Sequence, residues 1–449
     1  MNIAEDIFSK ADPAALAVVH GDVATTYGEL EEKSAGISRR IRSGTRIGLS
    51  CPDSADYIAA ALGILRAGAC FVPLAPELSP RERDQLASEV ALDAVLRRSV
   101  DGGFDLEELP APEIPPPWLD KLQAIFPAFI RFTSGTTGDS KGIVLSHSTL
   151  LERIRAANYG LSISATDRVL WVLPMSHHFA VSIMLYLWHG ATIVLPESHL
   201  AEDVLKTANR HNATVLYAAP FHFESLAGRS HWPSLRLAVS TTAALNPETA
   251  QRFSEAYGVF PAQALGIIEC GLPCLNFPAP EKNPASVGRP QPAFEARLDA
   301  DSKLHLRGPG FFDAYLSPWQ PRSEVLDKEG WFATGDIAKF DEQGRVVLLG
   351  RSQAVIGVGG MKFFPEEVEG VLCSHSSIEK VRVSGRPHPD FGMVPVAEVV
   401  LKTGVPAPRP IELMSLCRAQ LSRHKIPAEI RFVDSIPLTP SGKIKRILT

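Results

Sequence analysis

The sequence predicts an α/β protein: a large N-terminal domain of several sheets with parallel βαβ units, followed by a small α+β C-terminal domain. Short apolar runs alternate with amphipathic helical segments until about residue 350, where this pattern stops. The chain of 449 residues also exceeds the size of one typical core. We therefore expect domains at 1–350 and 351–449.

The segment 46–75 is the first strand–helix–strand unit. Asp53 or Ser54 is a candidate N-cap for its helix, and Gly68 is expected to end that helix. Further buried strands are expected at Val169–Leu173, Thr192–Leu195, Thr214–Ala218 and Leu235–Val239, with helices at Ala201–Asn209 and Pro247–Tyr257. Such alternation is typical of parallel sheets that are covered on both faces.

Beyond residue 350 the pattern predicts compact α+β structure. Arg345–Leu349 and Ala354–Val358 flank Gly350 and Arg351, an arrangement that predicts a hairpin. Helices are expected at Pro365–Leu372 and Ile411–His424, and strands at Val381–Ser384 and Val396–Leu401.

Composition and charge exclude several classes of function. The net charge of −5 does not favour nucleic acid or an anionic membrane surface as a partner. The longest apolar stretches, Tyr57–Ala75 and Phe179–Leu195, are interrupted and predict buried helix–strand units rather than membrane spans. Six scattered cysteines indicate free thiols, and we expect a cytoplasmic protein.

A loop rich in hydroxyl groups and glycine carries the strongest local signal. It contains Thr133, Ser134, Gly135, Thr136, Thr137, Gly138 and Lys141. Glycines let the backbone approach a phosphate closely, hydroxyl and backbone N–H groups donate hydrogen bonds to it, and the lysine adds positive charge. The loop is not a Walker P-loop, because its glycines are too close together and Gly142, not Ser or Thr, follows Lys141.

The loop resembles the phosphate-binding signature of the adenylate-forming superfamily, which includes acyl- and aryl-CoA synthetases, adenylation domains of peptide synthetases and beetle luciferases. Other motifs of that superfamily occur here in the same order along nearly the whole chain. They are Thr25–Leu30, Arg66–Leu74, Leu173–His177, Gly266–Glu269, Leu306–Gly310 with Tyr315, Gly330–Asp336, Gly350–Arg351 with Pro365–Glu369, and Pro440–Lys443.

The resemblance implies a role for each matching residue. Asp336 and Arg351 are expected to contact the ribose of ATP, and Gly266 to lie in the ATP site. Glu269 is expected to bind Mg²⁺, and Lys443 to bridge the substrate carboxylate and the α-phosphate. The small domain is expected to rotate about a hinge at Gln353 between two half-reactions, formation of the acyl-adenylate and transfer of the acyl group to a thiol.

Several positions depart from the superfamily pattern. Ile268 replaces the usual threonine before the acidic residue, Leu265 replaces an aromatic residue, and Ser140 replaces a proline. Gly357 lies where many CoA ligases have a lysine.

His177 lies where adenylation domains for α-amino acids usually have an aspartate, which favours an acyl or aryl acid as substrate. We expect it to act in catalysis and to line the acid pocket. The other expected wall residues are His178, Val181, Tyr217, Phe221, Thr242, Ala264, Leu272 and Pro273. They are mostly apolar or aromatic, as a pocket for a flat ring or a modest acyl chain requires. The adjacent histidines lack a third ligand nearby in the sequence, so a metal site is not expected there.

The resemblance therefore implies activation of a small carboxylic acid by MgATP, with pyrophosphate release, and transfer of the acyl group to a thiol. The thiol belongs either to CoA or to the phosphopantetheine arm of a separate acyl carrier protein. Two alternatives remain open. One is an enzyme that loads an amino-bearing acid onto a carrier protein, and the other is a binding module that has lost its activity.

Overall fold

Two large sheets form most of the N-terminal part of the chain. The structure is a computed structural model and describes residues 2–76, 78–133, 141–229, 231–351, 356–363 and 365–436. The first sheet has nine strands. From one edge to the other they are Arg289–Pro290, Gly271–Leu275, Ala262–Ile267, Leu237–Ser240, Val215–Ala218, Arg168–Trp171, Thr192–Leu195, Leu16–His20 and Val23–Thr26. The inner strands pair in parallel and the strands at both edges pair antiparallel.

The second sheet has eight strands. In spatial order they are Gln320–Pro321, Ala314–Tyr315, Lys141–Ser146, Pro127–Thr133, Cys70–Pro73, Arg46–Ser50, Ala94–Arg98 and Phe104–Glu108. Helices fill the space between the two sheets, because one continuous apolar core contains residues from both sheets and from the helices Ala55–Arg66 and His147–Leu161. The nine-stranded sheet also packs a core on its other face, which explains the near-continuous apolar runs of its inner strands.

The remaining helices cover the outer faces or complete the central layer. They are Ile3–Lys10, Tyr27–Ser38, Leu119–Ala124, Met175–His178, the π-helical Phe179–Ile183, Met184–Trp188, Ala201–Arg210, Pro220–Leu226, Pro247–Tyr257, Arg322–Val325 and the 3₁₀ turn Pro280–Lys282. A separate core lies on the other face of the nine-stranded sheet, where the helices at 201–210, 220–226 and 247–257 pack. A third sheet of four strands contains Glu295–Leu298, Lys303–Arg307, Phe332–Phe340 and Val346–Arg351.

The chain divides into two compact units, and the second comprises residues 77–89, 132–141 and 350–449. Its sheet of five strands contains Met361–Phe363, Ile356–Val358, Gly392–Leu401, Ile378–His388 and Glu429–Phe432. Its helices are Pro80–Val90, Pro365–Cys373 and Pro410–Gln420, followed by the 3₁₀ turn Arg423–Lys425. Within this unit the buried ammonium group of Lys425 lies 2.7 Å from Glu82 Oε1 and 2.9 Å from Glu367 Oε2.

The predicted α/β class, with a large multi-sheet N-terminal part and a smaller α+β C-terminal part, is confirmed. Most predicted elements occur within a few residues of their expected bounds, and the helix Pro247–Tyr257 has the predicted bounds. No helix among the described residues is both long and apolar enough to cross a membrane. All six cysteines are free thiols.

The predicted hairpin around Gly350 and Arg351 is wrong. Val346–Arg351 is one strand that runs through both residues in the four-stranded sheet. Ile356–Val358 instead forms a hairpin with Met361–Phe363, and Gly359 and Gly360 turn the chain between them. Both glycines have positive φ angles, +58° and +82°, which residues with a Cβ rarely adopt. The predicted helix at 411–424 also ends early, at Gln420.

Candidate active site

The predicted pocket residues lie along one edge of the nine-stranded sheet. They are in, or directly follow, the neighbouring strands Arg168–Trp171, Val215–Ala218, Leu237–Ser240 and Ala262–Ile267, and the antiparallel neighbour Gly271–Leu275. In register, Val215 lies opposite Val169 on one side and Leu237 on the other. The carboxyl ends of parallel strands meet at one edge of a sheet, where α/β proteins bind their ligands.

A short helix, Met175–His178, follows the first of these strands and carries His177. Both carboxylate oxygens of Asp53 accept hydrogen bonds from the backbone N–H of Met175, at 3.1 and 3.0 Å. A carboxylate at a helix N-terminus is electrostatically favourable. Ser54, rather than Asp53, is therefore the residue that caps the helix Ala55–Arg66.

Arg131, in the strand Pro127–Thr133, contacts His177 at two points. Its Nη1 donates to the backbone oxygen of His177 at 2.5 Å, and its Nη2 lies 3.0 Å from His177 Nδ1. Burial lowers the pKa of Arg131 to about 10, and the nearby Glu269 carboxylate opposes that shift. The guanidinium group is therefore charged at neutral pH.

A second buried arginine, Arg153, holds the backbone around Glu269. Its three nitrogens donate to the backbone oxygens of Gly310 at 2.5 Å, Ile268 at 2.6 Å and Glu269 at 2.8 Å. Burial lowers the pKa of Arg153 to about 10 as well, so the group stays charged. One rigid cation thus fixes two loops relative to each other.

The Glu269 carboxylate has a phenol as a neighbour. The hydroxyl group of Tyr315 lies 3.3 Å from Glu269 Oε1. Burial and the adjacent carboxylate raise the pKa of Tyr315, so the phenol keeps its proton and donates it in this hydrogen bond. Ile268, which replaces the expected threonine, packs against the main core from a partly buried position.

Asp336 lies in the strand Phe332–Phe340 and is buried, with an exposed fraction of 3%. Its backbone N–H donates to Thr334 Oγ1 at 3.1 Å, and the preceding Gly335 has φ of +76°. The charges of Glu269 and Asp336 both raise the pKa of Cys270, after the larger effect of burial. Asp336 and Glu269 therefore both lie close enough to Cys270 for their charges to act on its thiol group.

An aromatic cluster, buried in the main core, packs beside His178. The rings of Trp171 and Tyr217 stack with a centroid distance of 5.8 Å and an interplanar angle of 10°. Tyr186 and His178 both meet Trp171 edge to face, at 6.0 and 5.9 Å. The part of the core next to His178 is therefore aromatic and apolar.

Thr242 follows the strand Leu237–Ser240 and has φ of +76°. A β-branched residue in this region is strained. The other predicted wall residues contribute to the main core as well as to this edge: Ala264, Leu272 and Tyr217 are buried, Pro273 is buried in its strand, and Phe221 is partly buried.

Several predicted site residues lie outside the described part of the chain. These are Ser134, Gly135, Thr136, Thr137, Gly138, Gln353 and Lys443, together with the side chains of Thr133, Lys141, Val181 and Arg351. Gly266 is described and lies exposed in the strand Ala262–Ile267.

The sequence analysis did not identify Arg131 or Arg153, although each is a charged residue within an otherwise buried, apolar pattern. Arg131 is a charge at the end of the buried run Ala128–Ile130, and Arg153 lies on the buried stripe of its helix with Leu150 and Ala157. Charged side chains in such positions are rare and need partners.

The described residues contain no cluster of three or more His, Cys, Asp or Glu side chains that could hold a metal ion. Magnesium does not require one, because it keeps several waters and takes one or two carboxylates together with substrate phosphates. Glu269, a partly exposed carboxylate oriented by Tyr315, fits that requirement.

Comparison with known proteins gives matches over nearly the whole chain. The model of the AMP-binding enzyme family matches residues 7–316, and that of the AMP-binding enzyme C-terminal domain matches 367–443. An indenyl-propanoyl:CoA ligase of Rhodococcus jostii is 28% identical, with 96% of this chain and 94% of that protein covered. A feruloyl-CoA synthase of Amycolatopsis is also 28% identical, with 97% and 95% covered.

Among solved structures, the amide bond synthetase McbA of Marinactinospora thermotolerans has a TM-score of 0.82 to this chain. It is 25% identical, and the match covers 99% of this chain and 98% of that one.

Proposed function

Because the chain belongs to the AMP-binding enzyme family, and activates a carboxylic acid with ATP for thioester formation, we propose that its acid is an aryl acid or a short to medium acyl acid and that its thiol acceptor is CoA. The observation that carries the proposal is the aromatic cluster of Trp171, Tyr217 and Tyr186 beside His178. In the proposal this cluster borders the acid pocket, which recognises the acid by burial of apolar surface.

The nature of residue 177 supports the same substrate class. A carboxylate is the group that would hold the ammonium group of an α-amino acid, and here the position is a histidine held by a cation. An ammonium group would be repelled by the charge of Arg131. The CoA ligases among the relatives support CoA, rather than a carrier protein, as the acceptor.

In the adenylation step, an oxygen of the substrate carboxylate attacks the α-phosphorus of ATP, and the bond from that phosphorus to the β-phosphate bridging oxygen breaks. Acyl-adenylate and pyrophosphate result. Lys443 lowers the repulsion between the two anions, and Asp336 accepts hydrogen bonds from the ribose hydroxyls. Glu269 would hold Mg²⁺, which neutralises phosphate charge when it is bound.

In the thioester step, the CoA sulfur forms a bond to the acyl carbon, and the bond from that carbon to the adenylate oxygen breaks. AMP leaves. We propose that Lys443 serves the first step only and that the two steps use different orientations of the segment that follows Gln353.

Pyrophosphate release from ATP tests the proposal directly. The protein is incubated with benzoic, cinnamic, fatty or amino acids without any thiol, and then with CoA, a phosphopantetheinylated carrier protein or an amine. We expect release that depends on an aryl or acyl acid, and acyl-CoA when CoA is added. Release with amino acids alone would contradict the acid class, and acyl transfer only to a carrier protein or an amine would contradict CoA.

The role of Lys443 is tested by comparing two variants. Lys443→Ala should lose adenylation by at least about a hundredfold, as removal of one charge-stabilising group does, yet form acyl-CoA from supplied acyl-adenylate. Lys445→Ala removes an equal charge two residues later and should retain both reactions. Equal rates for the two variants in adenylation would refute the assignment.

A further inference from the structure

His177 is held by a partner that can only donate hydrogen bonds. A guanidinium group has five N–H donors and no acceptor. With Arg131 Nη2 at 3.0 Å, His177 Nδ1 must present its lone pair to the arginine. The proton of the neutral imidazole therefore lies on Nε2, because the hydrogen bond made by one ring nitrogen determines the state of the other.

The second contact makes this arrangement rigid. Arg131 Nη1 donates to the backbone oxygen of the same residue at 2.5 Å, so the planar guanidinium group engages the ring and the main chain together. Asp53, through Met175, anchors the start of the helix that carries the ring. Ring and backbone are thus held from two directions.

We propose that Arg131 is a positioning residue that keeps His177 in the Nε2–H tautomer, so that His177 acts in both half-reactions as a hydrogen-bond donor and not as a general base. Only the catalytic consequence of this inference rests on the proposed function; the tautomer of His177 does not depend on it. In adenylation, the Nε2–H group donates to an oxygen of the acid. In the thioester step, the proton of the thiol passes to water, because Nδ1 faces a cation and Nε2 already carries hydrogen.

The test combines a spectroscopic readout with kinetics. Nitrogen NMR of protein labelled at histidine distinguishes a protonated ring nitrogen from an unprotonated one, and the signals of His177 are identified by their loss in His177→Gln. We expect Nε2 protonated and Nδ1 unprotonated at neutral pH. Protonation of Nδ1 in the wild-type protein would overturn the proposal.

Two variants separate hydrogen bonding from charge. Arg131→Gln keeps an N–H donor without charge, and Arg131→Met removes both. We expect Arg131→Met to lose the single-tautomer signature and to lower kcat for adenylation about tenfold, a typical effect of removing the partner that orients a functional histidine. Arg131→Gln should retain the signature and recover most of kcat. Identical spectra and rates for the two variants would refute the role of the donor.

Arg46→Met is the matched control, because Arg46 is also a buried arginine of the eight-stranded sheet but pairs with Asp93. It should lower stability without changing the His177 signals or the rate of folded protein. The spectrum requires neither ATP nor an acid. If the protein released no pyrophosphate in response to an acid, the proposed function would be contradicted. The tautomer of His177 could still be measured in that case.

Discussion

Arg153 Nη2 and the backbone oxygen of Glu269 are joined by a hydrogen bond of 2.8 Å, and the same guanidinium group holds the oxygens of Ile268 and Gly310. The backbone at Glu269 is therefore held by a residue more than a hundred positions earlier in the chain. These three hydrogen bonds go to backbone oxygens, so the arginine fixes the main chain that carries the carboxylate.

Removal of this cation should change the metal requirement of the enzyme. We expect Arg153→Met to raise the Mg²⁺ concentration for half-maximal pyrophosphate release by at least about tenfold, since residues that orient a metal ligand contribute effects of that size. Arg153→Lys should be almost as defective, because one ammonium group cannot replace three donors in a fixed plane.

The measurement is an Mg²⁺ titration of acid-dependent pyrophosphate release. Arg46→Met again serves as the control, since it removes a buried arginine away from Glu269. If Arg153→Met lost only stability, as the control should, the proposed orientation of Glu269 would be wrong.

Tyr315→Phe removes only the hydroxyl group that faces Glu269 Oε1. We expect a weaker effect in the same direction, a rise of about threefold to tenfold in the Mg²⁺ requirement, because one of several groups that orient the carboxylate is lost. Tyr27→Phe is a matched control, because the Tyr27 hydroxyl donates to the backbone oxygens of Ala191 and Leu187. An unchanged Mg²⁺ titration for Tyr315→Phe would show that the phenol does not act on Glu269.

The strain at Thr242 gives a prediction about stability. Thr242→Ala and Thr242→Gly both remove the hydroxyl and methyl groups, but only glycine accepts φ of +76° without strain. The left-handed conformation costs a residue with a Cβ about 1–2 kcal/mol. Urea unfolding should therefore give the glycine variant the larger free energy of unfolding by about 1 kcal/mol, and a lower value than that of the alanine variant would contradict the strain.

Both variants should also bind the acid more weakly if Thr242 lines the pocket. A higher KM for the acid in the two variants together, with the ATP KM unchanged, is the expected result. An unchanged acid KM would remove Thr242 from the pocket wall.

The sheets could be predicted from sequence because their signals are local. Buried parallel strands such as Thr192–Leu195 are short apolar runs between helices, and Asn246 and Pro247 mark the start of the helix that ends at Tyr257. The failure at Gly350 has a physical cause as well. A glycine between two apolar runs predicts a turn, but the strand that contains Gly350 pairs with the preceding strand Phe332–Phe340 and continues through Arg351.

The site was predicted only as far as its motifs extend. Glu269, Asp336 and His177 lie in recognisable segments. The hydrogen bonds of Arg153, and one of the two that Arg131 makes with His177, go to backbone oxygens that any residue possesses. Nothing in the local sequence indicates which carbonyl a buried arginine will meet. Such contacts follow from the packing of helices between sheets, and this explains why the residues that hold the site escaped prediction.

A buried histidine that is not one of the predicted site residues makes folding sensitive to acid. Burial lowers the pKa of His222 to about 3, and the neighbouring His199 contributes in the same direction. The unfolded chain binds this proton at the ordinary value of about 6.5. As the pH falls below about 6.5, the unfolded state therefore binds more protons than the folded state, and stability is lost progressively towards pH 3.

Between pH 7 and pH 5 this single group should lower the free energy of unfolding by about 2 kcal/mol. His222→Gln cannot take up the proton, so its stability should fall less over the same interval, although its stability at pH 7 is lower because a buried ring is lost. The decisive quantity is the change in stability with pH, measured by urea unfolding at both values. His231→Gln, a variant of an exposed histidine, should follow the wild-type protein. If His222→Gln instead lost as much stability as the wild-type protein between pH 7 and pH 5, uptake of a proton by His222 would not contribute to acid unfolding.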